Sequence, residues 1–150
     1  QPVGLLADLY GGAGQLSLAP RAGWRRAVVV EASAAATGDL TAMLTHEPAL
    51  QGRVEVVHAR VEQRVEQVLH RGPGVVLLDP PRRGIDPRVV QALCAAPPPL
   101  VLYVACGFRA LVRDLRLLAA GGLRPTAAGA VDMFPHTTHL EVVVRLEPGP

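Results

Sequence analysis

Short apolar runs rich in β-branched residues alternate with longer amphipathic stretches along the whole chain. The runs predict strands over about Leu5–Leu9, Ala27–Glu31, Val54–Val57, Val75–Leu78 and Leu100–Ala105. The stretches between them predict helices over Gln15–Pro20, Ala34–Thr45, Val61–Leu69, Pro87–Ala95 and Arg109–Ala120. A further element is expected near Arg124–Val131, and Leu140–Leu146 reads as a closing strand. Strands alternating with helices in this way imply an α/β fold built from parallel βαβ units. Pro97-Pro98-Pro99 and Gly121-Gly122 punctuate elements and do not join domains, and no internal repeat is present.

Composition narrows the picture without changing it. With 150 residues, 49% of them hydrophobic, the chain suffices for one domain with a sizeable core. A formal charge of +2 is too small to indicate a nucleic-acid partner unaided. All fifteen basic residues are arginine, and lysine and asparagine are absent, so any site that needs an amide must be filled otherwise. Two cysteines are too few for a disulfide framework, which makes a reducing compartment, the cytoplasm, the expectation. No apolar run is long enough to span a membrane, so no membrane partner is expected. Gln1-Pro2 carries neither an initiator methionine nor a signal pattern, and the chain reads as a piece of something longer.

Candidate chemistry gathers where the predicted strands end. The first strand runs into Asp8-Leu9-Tyr10-Gly11-Gly12-Ala13-Gly14-Gln15, a glycine turn of the kind that lets backbone N–H groups approach a nucleotide. Glu31 ends the second strand 19 residues after Gly12, close to the offset at which an acidic residue binds a ribose diol. An adenosine moiety fits this pattern, and a dinucleotide and S-adenosylmethionine both satisfy it.

The fourth strand delivers Asp79-Pro80-Pro81-Arg82-Arg83-Gly84, where two prolines stop the ladder and stiffen the loop that presents the carboxylate. The fifth ends in Tyr103-Val104-Ala105-Cys106, a thiol just before a helix and an arginine, a setting suited to a nucleophilic sulfur. Cys94 falls in an apolar helical pattern and reads as core. Before the last strand, Asp132-Met133-Phe134-Pro135-His136-Thr137-Thr138-His139-Leu140-Glu141 concentrates polar side chains. Cys106, His136, His139 and Glu141 are all zinc-ligand types, but neither paired-cysteine nor helical His-Glu-x-x-His spacing supports a metal, and none is expected.

These four motifs stand in the order and spacing of the RNA 5-methyluridine methyltransferases, which the chain resembles over essentially its whole length. The resemblance implies a class I methyltransferase, Rossmann-like fold: a mostly parallel seven-stranded sheet with helices on both faces. It implies methylation of uracil C5 in transfer or ribosomal RNA, with S-adenosylmethionine as cofactor, Cys106 as nucleophile and Glu141 as base. Tyr10, Gln15, Glu31 and Asp79 fall where the family contacts the cofactor, with Glu31 on the ribose hydroxyls and Asp79 near the methyl donor. Residues 1–150 would then be the catalytic domain of a longer, monomeric protein, without the family's RNA-binding and central domains.

Three departures stand out: Cys106-Gly107-Phe108 replaces Cys-Asn-Pro, Gly11 replaces a common cysteine, and Arg60 sits where a polar side chain often lies near the adenine. The first leaves open a non-catalytic module that binds S-adenosylmethionine or RNA. A nicotinamide-dependent oxidoreductase shares the glycine turn and Glu31 but leaves Cys106 and Glu141 without a role.

Overall fold

A computed structural model describes residues 1–20, 22–132 and 140–149. Its strands are β1 (Val3–Leu9), β2 (Trp24–Glu31), β3 (Val54–His58), β4 (Val75–Leu78), β5 (Val101–Ala105), β6 (Leu123–Val131) and β7 (Glu141–Pro148). They form one sheet in the order β3-β2-β1-β4-β5-β7-β6. Only β7 is reversed: it pairs antiparallel with both β5 and β6, while the pairs among β1 to β5 are parallel. The amino end of β7 therefore lies at the same sheet edge as the carboxyl ends of the other strands. Strand order reverses between β1 and β4, the place where open α/β sheets form a ligand crevice.

The helices are α1 (Gln15–Leu18), α2 (Ala34–Thr45), α3 (Val65–Leu69), α4 (Pro87–Ala95) and α5 (Phe108–Ala120). Local chemistry accounts for their starts. Ser33 accepts from the Ala36 N–H at 3.3 Å to cap α2, and Asp86 accepts from the Arg88 N–H at 2.9 Å ahead of Pro87, which opens α4. Two helices are shorter than the sequence pattern suggests. The first ends at Leu18, shortly before Pro20, which has no N–H to donate. The stretch 61–69 is a 3-10 turn, Val61–Gln63, followed by α3, with Arg64 (φ −125°) breaking helical geometry between them. Val61, Val65, Val68 and Leu69 are buried on both sides of the break, so the apolar stripe outlives the helix that it predicted.

Period-two alternation sorts the strands' side chains between the two faces. Ala7, Leu9, Val28, Val30, Val76, Leu78, Val101 and Tyr103 join the main core, which α3, α4 and α5 cover with Val65, Val68, Val89, Leu93, Leu111 and Leu118. Leu6, Trp24, Ala27, Leu50 and Leu77 form a smaller cluster on the other face. There the Trp24 ring N–H donates to the Ser17 carbonyl at 2.7 Å, and the Arg53 guanidinium lies 4.8 Å from the ring centre. Farther along that face, among the described residues, the sheet carries an open apolar groove of about 330 Å³ walled by Val3, Leu6, Leu77, Leu102, Val104 and Val143.

Candidate functional site

The turn after β1 is built on unusual backbone. Tyr10 has φ +65°, the only positive φ at a non-glycine position among the described residues, and Gly12 and Gly14 have φ +54° and +79°. A side chain held in this conformation costs free energy that surrounding contacts must offset, and such residues concentrate at functional sites. The Glu31 carboxylate ties the turn to β2: it accepts from the Gly12 N–H at 3.0 Å and from the Ser33 N–H at 2.6 Å. A Cβ on Gly12 would meet nothing within 4 Å, so space is open directly above the backbone. One on Gly11 would lie 2.5 Å from Val29 Cγ1 and 2.8 Å from Asp8 Cγ, so the residue that replaces a cysteine here lets the turn close on Asp8.

Tyr10, Glu31 and Asp79 line one cavity of about 410 Å³, together with Arg60, Glu62 and Arg83. Gln15, the fourth expected cofactor contact, opens α1 with an exposed side chain and does not line this cavity. Arg60 lines it with a side chain that is 71% exposed and paired with Glu62 at 3.7 Å. A larger neighbouring cavity of about 460 Å³ shares Tyr10, Arg60, Glu62 and Arg83 but reaches toward Asp114 and Leu117, away from Glu31 and Asp79. Tyr10 lines both. Burial pushes its hydroxyl up to about 12, and the Asp86 backbone offsets part of that without meeting the geometry of a hydrogen bond.

The Asp79–Gly84 loop is held from behind. Asp114 is fully buried on α5 and accepts four hydrogen bonds: from the Ile85 N–H at 2.9 Å, the Tyr103 hydroxyl at 2.6 Å, and Arg113 Nε and Nη2 at 2.8 and 2.6 Å. Arg113 Nη2 also donates to the Arg83 carbonyl at 2.8 Å. One carboxylate thus joins α5, the end of β5 and the loop after β4. Gly84, with φ +86°, completes the joint, because a Cβ there would collide with the Asp114 carboxylate.

Strand register brings Cys106 and Glu141 to one sheet edge. β5 and β7 pair Val101 with Leu146 and Ala105 with Val142, the last pair of the ladder, and Cys106 and Glu141 are the residues that adjoin that pair on the two strands. Cys106 is exposed and Glu141 half-buried. Asp79 follows Leu78, which pairs with Tyr103, so it lies at the same edge one strand away. Its carboxyl is pushed up from the ordinary value by partial desolvation and then by the Glu141 charge, which marks the two carboxylates as neighbours. Cys94 lies half-buried in α4, as the helical pattern implies, and burial raises its thiol.

Three side chains near the site had no role assigned from the sequence. Asp8 is fully buried, and burial pushes its carboxyl up to about 6, with the nearby Ser17 lowering it and the Asp79 and Glu31 charges raising it further. Neither carboxylate oxygen has a hydrogen-bond partner among the described residues: the Ser17 hydroxyl is close but donates to the Gly14 carbonyl at 3.2 Å. Its signal was a charge inside the apolar run Leu5-Leu6-Ala7-Asp8-Leu9. Asp114 carried a similar one, an acid on the stripe Leu111, Asp114, Leu118. Phe108, at 70% exposure, had none. The expected contributions of residues 133–139, His136 and His139 included, lie outside the described residues. Among the described residues no group of three or more metal-ligand side chains occurs.

Residues 59–148 match the family model described as tRNA (Uracil-5-)-methyltransferase. The chain is 33% identical over 144 residues to an uncharacterized RNA methyltransferase of Oceanobacillus iheyensis, and 31% identical over 151 residues to one of Chlorobaculum tepidum. These matches cover 95% and 97% of this chain and 31% of each relative. It therefore spans about a third of the length of these curated relatives. The Pyrococcus abyssi tRNA (uracil-54, C5)-methyltransferase in complex with S-adenosyl-L-homocysteine superposes with a TM-score of 0.76 at 29% identity, covering 94% of this chain and 33% of that one. The N-methyltransferase NodS of Bradyrhizobium japonicum shares the fold alone, with a TM-score of 0.76 at 8% identity over 99% of this chain and 80% of its own.

Proposed function

The chain belongs to the tRNA (uracil-5-)-methyltransferase family, and on that footing we propose that it transfers a methyl group from S-adenosylmethionine to C5 of a uracil in RNA, with Cys106 as covalent nucleophile and Glu141 as base. The observation that supports this reading is the β5–β7 register, whose last pair, Ala105 with Val142, adjoins both residues. We propose further that residues 1–150 are the catalytic domain of a longer, monomeric cytoplasmic protein, with transfer or ribosomal RNA as its partner.

The residues at the β1–β4 switch fit a nucleoside cofactor that carries positive charge. Glu31 offers carboxylate oxygens at the rim of the cavity, and the open space over Gly12 allows a ligand to approach the backbone. Asp8, Glu31 and Asp79 bring negative charge together, as their mutual effect on Asp8 records, and a cation relieves that repulsion. When bound, S-adenosylmethionine supplies a methyl group activated on a sulfonium.

The chain's own residues account for the rest. Uracil C5 is a poor nucleophile until the Cys106 sulfur forms a bond to C6, which moves the C5–C6 electron pair onto the C4 carbonyl as an enolate. C5 of that enolate would take up the methyl group that bound S-adenosylmethionine supplies, the cofactor leaving as its demethylated thioether. Glu141 then takes the C5 proton; the released pair restores the C5–C6 double bond and expels Cys106 as thiolate. Asp79, whose carboxyl is raised by the Glu141 charge, would lie near the target base and the methyl donor, and exposed Arg82 on the same loop is available to a base edge or a phosphate.

RNA containing 5-fluorouridine tests the chemistry, because fluorine at C5 cannot leave as a proton and the adduct stalls. With S-adenosylmethionine present, a denaturant-stable protein–RNA complex is expected from the parent chain and none from Cys106→Ala. Glu141→Gln is expected to accumulate the adduct even on ordinary uridine RNA. No complex from the parent chain would leave the non-catalytic binding module as the reading.

A further inference from the structure

Phe108 is the most exposed large apolar side chain among the described residues, at 70%, in a chain with only two phenylalanines. It is the first residue of α5, two positions after Cys106. Helical Cα–Cβ bonds tilt toward the amino end, so a side chain at the first position projects past the helix start, toward the sheet edge where Cys106 and Glu141 lie. The preceding turn is pressed against the loop after β4: a Cβ on Gly107 would lie 2.8 Å from the Arg82 carbonyl oxygen. Phe108 thus follows directly on the seam between the two loops that bear Asp79 and Cys106. Arg82 and Arg109, both exposed, carry the nearest cationic side chains in sequence on either side of that seam.

An aromatic face between guanidinium groups is the chemistry that holds a single nucleic-acid strand, by stacking a base and neutralising phosphates. We propose that Phe108 stacks on the RNA base next to the one engaged by Cys106. The neighbouring base is the partner because sulfur must approach the target ring through its own face at C6, which leaves that face closed to a ring two residues away. This inference rests on the proposed uracil chemistry and adds to it a second base contact, supplied where the family's Cys-Asn-Pro is replaced by Cys106-Gly107-Phe108.

Phe108→Trp gives a direct optical test, since the chain's single tryptophan, Trp24, is only 3% exposed and supplies a constant background. The fluorescence of the introduced indole should be quenched by a short uridine-containing oligonucleotide and not by the same strand with abasic sites beside the target. Phe108→Ala should weaken oligonucleotide binding about five-fold or more and raise the RNA KM with little change in kcat. Its affinity for S-adenosyl-L-homocysteine should stay at the parent value. Phe108→Tyr should restore RNA binding and Phe108→Leu should not. An unquenched indole, or a leucine variant that binds RNA as well as the parent chain, overturns the proposal. Quenching without any 5-fluorouridine adduct would retain the stacking contact and remove the uracil chemistry, whereas an adduct with no quenching would do the reverse.

Discussion

Asp8 is the residue at which the site and the stability of the fold oppose each other. A carboxylate with no solvent exposure and no hydrogen-bond partner among the described residues favours its neutral form, and its pKa of about 6 stands above the ordinary 3.8. The folded chain therefore binds more protons than the unfolded one between about pH 4 and pH 6, and stability from this group falls as pH rises through that window. The cost is fully present above pH 6 and amounts to about 3 kcal/mol. Asp8→Asn, which keeps the shape and removes the charge, is expected to exceed the parent chain in stability by about 1–3 kcal/mol at pH 8 and to match it near pH 4. Urea unfolding at the two pH values checks this, and an equal difference at both would assign the effect to packing. A charge at this position could be read from the sequence; its burial could not, because strand alternation alone does not say what covers the odd or even side chains.

Among the elements, α5 does the most to shape the site, because Asp114 fastens the loop after β4 and the end of β5 to one helix. Asp114→Asn converts one of its two acceptor oxygens into a donor that must face either the Ile85 N–H and Tyr103 hydroxyl or Arg113. Loss of a buried, charge-assisted set of this kind is expected to cost about 3 kcal/mol, read as a lower urea midpoint with the slope unchanged. Faster hydrogen exchange at the Ile85 amide would identify the loop as the part released. The strand positions were legible as apolar runs, down to Glu31 and Leu78 at their carboxyl ends. Helix continuity over 61–69 was not, since an apolar stripe records which side chains are buried, and Val61, Val65, Val68 and Leu69 are buried whether or not Arg64 is helical. That Cys106 and Glu141, 35 positions apart, adjoin one and the same β5–β7 pair was suggested only by family resemblance; it depends on β7 running antiparallel to β5, and no local pattern encodes direction.

At the scale of the whole molecule, the small net charge limits how RNA can be held. Arg82, Arg83, Arg88 and Arg109 are exposed, whereas Arg113, although more than half exposed, is committed to Asp114 and the Arg83 carbonyl. With at most these four side chains meeting phosphates, the logarithm of RNA affinity should fall against the logarithm of salt with a slope no steeper than about −3. Replacing Arg82 and Arg83 together with alanine should flatten that slope by about 1, and Arg113→Ala should change stability and leave it unaltered; filter binding over a salt series checks all three chains. A slope that modest would assign much of any tight, selective RNA binding to parts of the longer relatives beyond the third that this chain spans.

The apolar groove that the described residues leave open on the sheet face opposite α3, α4 and α5 should govern how this chain behaves in a tube. Apolar walls around about 330 Å³ of open space exceed what a scattered surface leucine exposes, and water in contact with them is displaced readily. The 150-residue chain should light up an environment-sensitive naphthalene dye while fully folded, and Leu102→Glu should dim it, with a lower urea midpoint because Leu102 also packs against the smaller cluster. Sulfate, which strengthens apolar association, should precipitate the parent chain at a lower concentration than that variant. Purification schemes that rely on salting out, and crystallisation from sulfate, would then sample a sticky sheet face and not the catalytic edge.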